Sequence, residues 1–111
     1  MERVNEKDLP FRHGDSGPKY FFRGPGHEWG LIVFHPGQSL GAHKHAAVEE
    51  TFYFLSGTPQ MIVNGLSHRV AEGDAFRLEA GEAHDIVNDT DRDARLIFIK
   101  CPYRPDDKLA L

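Results

Sequence analysis

Residues 37–57 read GQSLGAHKHAAVEETFYFLSG. The stretch carries two histidines two apart, His43 and His45, then Glu50, then an apolar run closed by a glycine. In a strand, residues i and i+2 share a face. Their Cα atoms lie roughly 6.6 Å apart, close enough for both imidazoles to reach one metal ion. Glu50 follows His45 by five residues. That odd offset places it on the opposite face of an unbroken strand. Glu50 joins the histidines only if the chain turns at 46–48 and returns on a neighbouring strand, so the site demands a bend there and a curved sheet. Residues 50–56 are the most strand-like in the chain, because Thr, Phe and Tyr favour a pleated, packed environment. Parity puts Glu50, Phe52 and Phe54 on one face and Thr51, Tyr53 and Leu55 on the other.

A second stretch, residues 73–88, reads GDAFRLEAGEAHDIVN and supplies His84 just after a turn at 80–82. Three neutral imidazoles and one carboxylate make a mixed nitrogen–oxygen site that suits Mn, Fe, Co, Ni, Cu or Zn. The spacing Gly37-x5-His43-x-His45-x4-Glu50-x6-Gly57 resembles the first motif of the cupin superfamily. Gly73-x5-Glu79-x-Gly81-x2-His84-x3-Asn88 resembles the second, where the family normally has proline at the position of Glu79. The fifteen residues between Gly57 and Gly73 are like the spacer of small microbial cupins. The resemblance implies an all-β, jelly-roll barrel with one divalent transition metal held by His43, His45, Glu50 and His84. It also implies a homodimer, with an N-terminal arm crossing to the partner subunit. The absent proline leaves the ligands untouched but makes the turn before His84 less rigid.

With 111 residues, the chain is one domain with a modest core. A net charge of −4 argues against nucleic acid and anionic membranes as partners. One cysteine, Cys101, precludes an internal disulfide and fits a cytoplasmic location. The N-terminus is charged and lacks the apolar core of a signal peptide. No apolar run approaches the roughly 20 residues of a membrane helix.

Taken in order, residues 1–18 read as an irregular arm, 19–101 as the barrel and 102–111 as a tail. Strands are expected at 19–23, 29–35, 39–45, 50–56, 60–63, 67–70, 75–78, 84–88 and 94–100. Asn64-Gly65 is a hairpin signal, because both residues tolerate positive φ. Eight or nine short strands with frequent turns and no amphipathic helix argue for a β sandwich or barrel independently of the motifs.

Phe52, Phe54, Phe76, Ile86 and Phe98 are the candidates to line a substrate cavity above the metal. Any small barrel also needs such residues for its core. Arg77 and Lys100 could bind a substrate carboxylate, but the reading that wins places them on an outer face or in ion pairs, with Glu79 or Glu82 as partners. Glu49 competes with Glu50 for the ion; the resemblance selects Glu50, and Glu49 is expected to face solvent or to support a ligand from behind, while Cys101 is expected to be a small core or edge residue. His13, His27, His35 and His68 lie outside the motifs and read as surface residues, with His35 closest to the cavity mouth. Four protein ligands leave positions open on a six-coordinate ion, unlike a closed structural zinc site. The function that follows is a metal-dependent enzyme on a small, oxygen-rich acidic metabolite, either a dioxygenase or a Lewis-acid isomerase or decarboxylase. The alternative is a non-enzymatic protein that binds a small molecule through its metal.

Overall fold

The computed structural model describes residues 1–111. One 3₁₀ turn, Glu6–Asp8, precedes ten strands: β1 (Gly17–Arg23), β2 (Glu28–Phe34), β3 (His43–His45), β4 (Glu49–Ser56), β5 (Gln60–Val63), β6 (Leu66–Arg69), β7 (Ala75–Leu78), β8 (His84–Val87), β9 (Ala94–Cys101) and β10 (Lys108–Ala110). They form two five-stranded antiparallel sheets, ordered β1-β2-β9-β4-β7 and β10-β3-β8-β5-β6. This is the all-β jelly roll that the motifs imply. No helix is long and apolar enough to cross a membrane.

The core follows from period-two alternation. Ile32 and Phe34 of β2, Phe52 and Phe54 of β4, and Leu96 and Phe98 of β9 project from the first sheet. Met61 of β5 and Ile86 of β8 meet them from the second. Tyr53 and Leu55, on the other face of β4, are exposed. On β2 both faces are buried, because Leu31 and Val33 are covered on the outer side. Part of that cover is the N-terminal arm: Val4 and Glu6 border a groove with Trp29 and Leu31, and Glu6 pairs with Arg95. The fully buried Asn88 side chain donates to the carbonyls of Phe34 and Arg92, which ties the end of β8 to β2 without leaving an unmet amide.

Two glycines are dictated by local geometry. Gly65 has φ +81° and follows Asn64 at +49°, which builds the two-residue turn between β5 and β6. At Gly30, a Cβ would lie 2.0 Å from the backbone oxygen of Lys19, so only glycine lets β1 and β2 approach this closely.

The structure departs from the sequence reading at both ends of the histidine segment. The strand expected at 39–45 shrinks to His43–His45, with Gly41 at φ +95° interrupting it and Ser39 making only an isolated bridge to Val87. Residues 108–110, read as tail, form β10, and Lys108, Leu109 and Ala110 pair with His45, Lys44 and His43. Pro102 and Pro105 stop pairing locally, as expected. They do not prevent it from resuming once the chain has turned, and the edge of β3 offered unpaired backbone groups.

Candidate metal centre

The bend required between His45 and Glu50 exists, and it does more than reverse parity. It carries the chain from one sheet to the other, since β3 belongs to the second sheet and β4 to the first. His43 and His84 are direct cross-strand partners on β3 and β8, and their ring centroids are 4.3 Å apart. Glu50 faces them from β4. The four side chains are buried, and each offers one donor atom within 4.8 Å of all the others. Oε1 of Glu50 lies 3.1 Å from Nε2 of His45, 3.1 Å from Nε2 of His84 and 3.9 Å from Nε2 of His43.

The chemistry of this donor set fits a cation. His43 Nδ1 lies 2.7 Å from the Gly41 carbonyl, and His84 Nδ1 lies 3.1 Å from the Glu82 carbonyl. A carbonyl only accepts, so each Nδ1 carries the proton and the Nε2 of the neutral ring is a lone pair. Those lone pairs point at a carboxylate that also only accepts. Acceptors crowded together in a buried place repel unless protons or a metal ion lie among them. His45 turns Nε2 to the cluster and leaves Nδ1 buried with no hydrogen-bond partner. Burial by itself pushes the Glu50 carboxyl up. Where a proton lies between Glu50 and the imidazoles of His43, His45 and His84, those contacts and the charge of Lys100 outweigh burial and hold the carboxyl well below the usual carboxylate range.

The loops holding the ligands are themselves held. Oδ2 of Asp107 accepts from the N–H groups of both Ala47 and Val48 at 2.9 Å, fixing the bend. Those bonds, that of Ala47 first, hold the Asp107 carboxyl below its ordinary value. At the turn before His84, the Gly81 N–H donates to the His45 carbonyl at 2.7 Å, which links the two histidine segments directly. Glu82 accepts from the Glu79 N–H at 2.8 Å across the same turn.

Above His43, His45 and Glu50 lies a cavity of about 140 Å³. That is small beside the roughly 300–1,000 Å³ of sites for drug-sized molecules. Its walls carry five cationic side chains, Arg12, Arg23, Lys100, Arg104 and Lys108, against two carboxylates, Glu28 and Glu50. Burial, then the charges of Lys100 and Arg12, hold the Lys108 ammonium below its ordinary value. Lys100 is thus inside the barrel rather than on an outer face or paired with Glu79 or Glu82. Two positions along from inward-facing Phe98, it shares that residue's side of β9. Its carboxylate partner is buried Glu28 at 3.8 Å. Arg77 does face outward, 3.2 Å from Glu49.

Of the five apolar candidates for the cavity wall, Phe98 lines it. Phe52 packs behind the site, its ring 5.8 Å from that of His84. Phe54 and Ile86 are wholly buried in the core, and Phe76 stacks edge-on against Phe54 at 5.8 Å. They share the inward face, but lie in rows the core fills completely. Sequence reasoning did not find Tyr20, Arg12, Arg104 or Lys108 at the cavity; the last two come from the segment read as tail. His35 pairs with Asp93 and Asp15 at 2.9 and 3.2 Å, away from the cavity, and His13, His27 and His68 are exposed. Cys101 is exposed at the end of β9.

Residues 30–100 match the family model of the cupin domain. The chain is 33% identical over 64 residues to an oxalate-binding protein of Thermotoga maritima, covering 58% of this chain and 53% of that one. It is 30% identical over 80 residues to the tetracenomycin polyketide synthase protein TcmJ of Streptomyces glaucescens, covering 72% and 54%. The chain thus spans about half the length of these curated relatives. Among solved structures, KdgF from Halomonas sp. superposes with a TM-score of 0.81 at 21% identity, over 96% of each chain, a likeness of fold. With the family model spanning the motifs and most of both sheets, the chain belongs to the cupin domain family.

Proposed function

We propose that this chain is a metal-dependent enzyme acting on a small, oxygen-rich acidic metabolite. The observation that carries the reading is the convergence of three imidazole nitrogens and the Glu50 carboxylate in one buried cluster beneath a cavity with cationic walls. His43, His45, Glu50 and His84 would hold one divalent Mn, Fe, Co, Ni, Cu or Zn ion. Such an ion supplies a Lewis acid for isomerisation or decarboxylation, or with a redox metal such as iron, a centre for dioxygenase chemistry.

The chain's own residues supply the rest. The cations at the mouth draw an acid inward and raise its local concentration. Tyr20 and Phe98, edge-on at 5.1 Å, wall one side and limit the water around the reacting group. The small cavity favours compact acids. The exposed apolar residues Tyr53, Leu55 and Ile99 on the outer face of the first sheet support a homodimer.

A second reading is a binding protein that uses its metal as an anchor, favoured by the relative named as an oxalate-binding protein. Incubating metal-loaded protein with a panel of 2-oxo acids, 2-hydroxy acids and dicarboxylates, while following O₂ uptake and product formation, separates the two. Turnover that chelation abolishes supports the enzyme; tight binding without turnover supports the carrier. A chain that binds no metal and turns over none of the panel contradicts both.

A further inference from the structure

Four charged side chains form one row across the inner face of the first sheet. Arg23 of β1 is the cross-strand partner of Glu28 on β2. Glu28 is in turn the partner of Lys100 on β9, and Lys100 of Glu50 on β4. The signs alternate along the row, which ends at a residue of the metal cluster. Within it, Glu28 is committed to Arg23, whose Nε lies 2.9 Å from Oε2. Lys100 is held only loosely, by Glu28 and by Tyr20. Its Nζ is 3.8 Å from Glu28 and 3.4 Å from the Tyr20 hydroxyl, both beyond an ordinary N–H···O distance of about 2.7–3.2 Å. An ammonium has three donors and no acceptor, so with two long contacts this one has donor capacity to spare. Its side chain is only 18% exposed and lines the cavity.

We propose that Lys100 and Tyr20 form an anion subsite beside the ion, which receives a carboxylate of the ligand. This rests on the metal-dependent reading above. When an ion takes up the charge of Glu50, Lys100 loses the counter-charge on that side of the row. Glu28 stays shared with Arg23, so the local excess is positive. Further out, Arg12, Arg104 and Lys108 line the mouth and form no ion pair within the chain. Tyr20 accepts from Lys100, so its own O–H is free to donate to the same carboxylate. Its ring also lies 5.6 Å from Nζ, which favours the charged lysine in this position. The subsite selects acids in which a carboxylate sits next to a second oxygen donor: 2-oxo acids, 2-hydroxy acids and short dicarboxylates. The carboxylate of such a ligand meets Lys100, and its second oxygen would be left for an ion held by His43, His45, Glu50 and His84.

The test is calorimetric titration of oxalate into the Mn-loaded protein, with imidazole as a neutral probe that needs only the ion. Lys100→Met should weaken oxalate binding about tenfold or more, as expected for loss of a charge-assisted contact. Metal stoichiometry and imidazole affinity should be unchanged. Lys100→Arg, which restores the charge, should recover most of the loss. Tyr20→Phe keeps the ring and should weaken oxalate by about threefold, the scale of one neutral hydrogen bond. It carries the test should Lys100→Met not fold. Oxalate affinity unchanged in both Lys100→Met and Tyr20→Phe, or in Tyr20→Phe alone where only it folds, overturns the subsite. If the wild type takes up no metal, the parent reading fails separately. In that case oxalate binding by the metal-free chain that Lys100→Met abolishes still upholds the subsite, and no binding overturns it.

Discussion

Nε2 of His84 and Oε1 of Glu50 lie 3.1 Å apart although they come from different sheets and are 34 residues apart in sequence. Neither strand could bring this about alone. The contact is closed by the jelly roll, and an ion placed there would bridge the two sheets. Saturating the site should therefore stabilise the whole barrel. At free metal a hundredfold above Kd the gain is about 2.7 kcal/mol, of order 10 °C in melting temperature for a domain of this size. Chelation should remove that gain and re-addition of metal restore it. His84→Ala should abolish the response. A melting temperature indifferent to metal in the wild type would contradict the bridging role.

Asp107 touches no atom of the cluster, yet it holds the bend that returns Glu50 to the histidines through the N–H groups of Ala47 and Val48. Asp107→Ala leaves all four ligands in place and loosens their spacing. Metal affinity should fall by about tenfold, the lower end of what supporting groups contribute. Competition against a chromogenic chelator measures it. An unchanged Kd would show that the bend is fixed by β10 pairing alone.

Phe52 is fully buried and backs the His84 ring. Phe52→Ala removes its contacts and leaves a cavity, at a cost of about 3–5 kcal/mol in urea unfolding. Holding the ring of His84 less firmly, the variant should also bind metal more weakly than an equally destabilising Phe34→Ala. Equal metal affinity in the two variants would confine Phe52 to the core.

Acid should act at Asp89. Arg69 first, and then Gln60, hold the Asp89 carboxyl well below its ordinary value through contacts of 2.6 and 2.8 Å from Arg69 and 2.6 Å from Gln60. Because the folded-state value is depressed, the stability from Asp89 is complete above the unfolded value near 4 and is lost as pH falls through the folded one. In metal-free protein, the stability of Asp89→Asn should fall less steeply than that of the wild type as pH drops below about 4. Parallel curves would mean that the exposed pair contributes nothing.

Much of this was legible in the chain itself. The interval between His45 and Glu50 demanded a bend, and strand parity put Glu50, Phe52 and Phe54 on one side, as found. Asn64-Gly65 marked a turn that the backbone makes with positive φ. What parity could not supply was depth along the barrel. It gave Phe54 and Ile86 the correct face, but not the fact that their rows are filled by core while the row of Lys100 opens to the cavity. Lys100 itself was recoverable, two residues beyond Phe98 on the same strand. The cations Arg104 and Lys108 were not, because residues 102–111 carry two prolines and no alternation, and β10 exists only where the edge of β3 accepts it.

The most direct test of the account is elemental analysis of tag-free protein, after incubation with Mn, Fe, Co, Ni, Cu and Zn in turn and removal of loose metal. About one ion per chain is expected for at least one of these metals, lost in Glu50→Ala and in His84→Ala variants that remain folded by circular dichroism. A folded wild-type chain that retains none of the six, or variants that retain as much as the wild type, would contradict it.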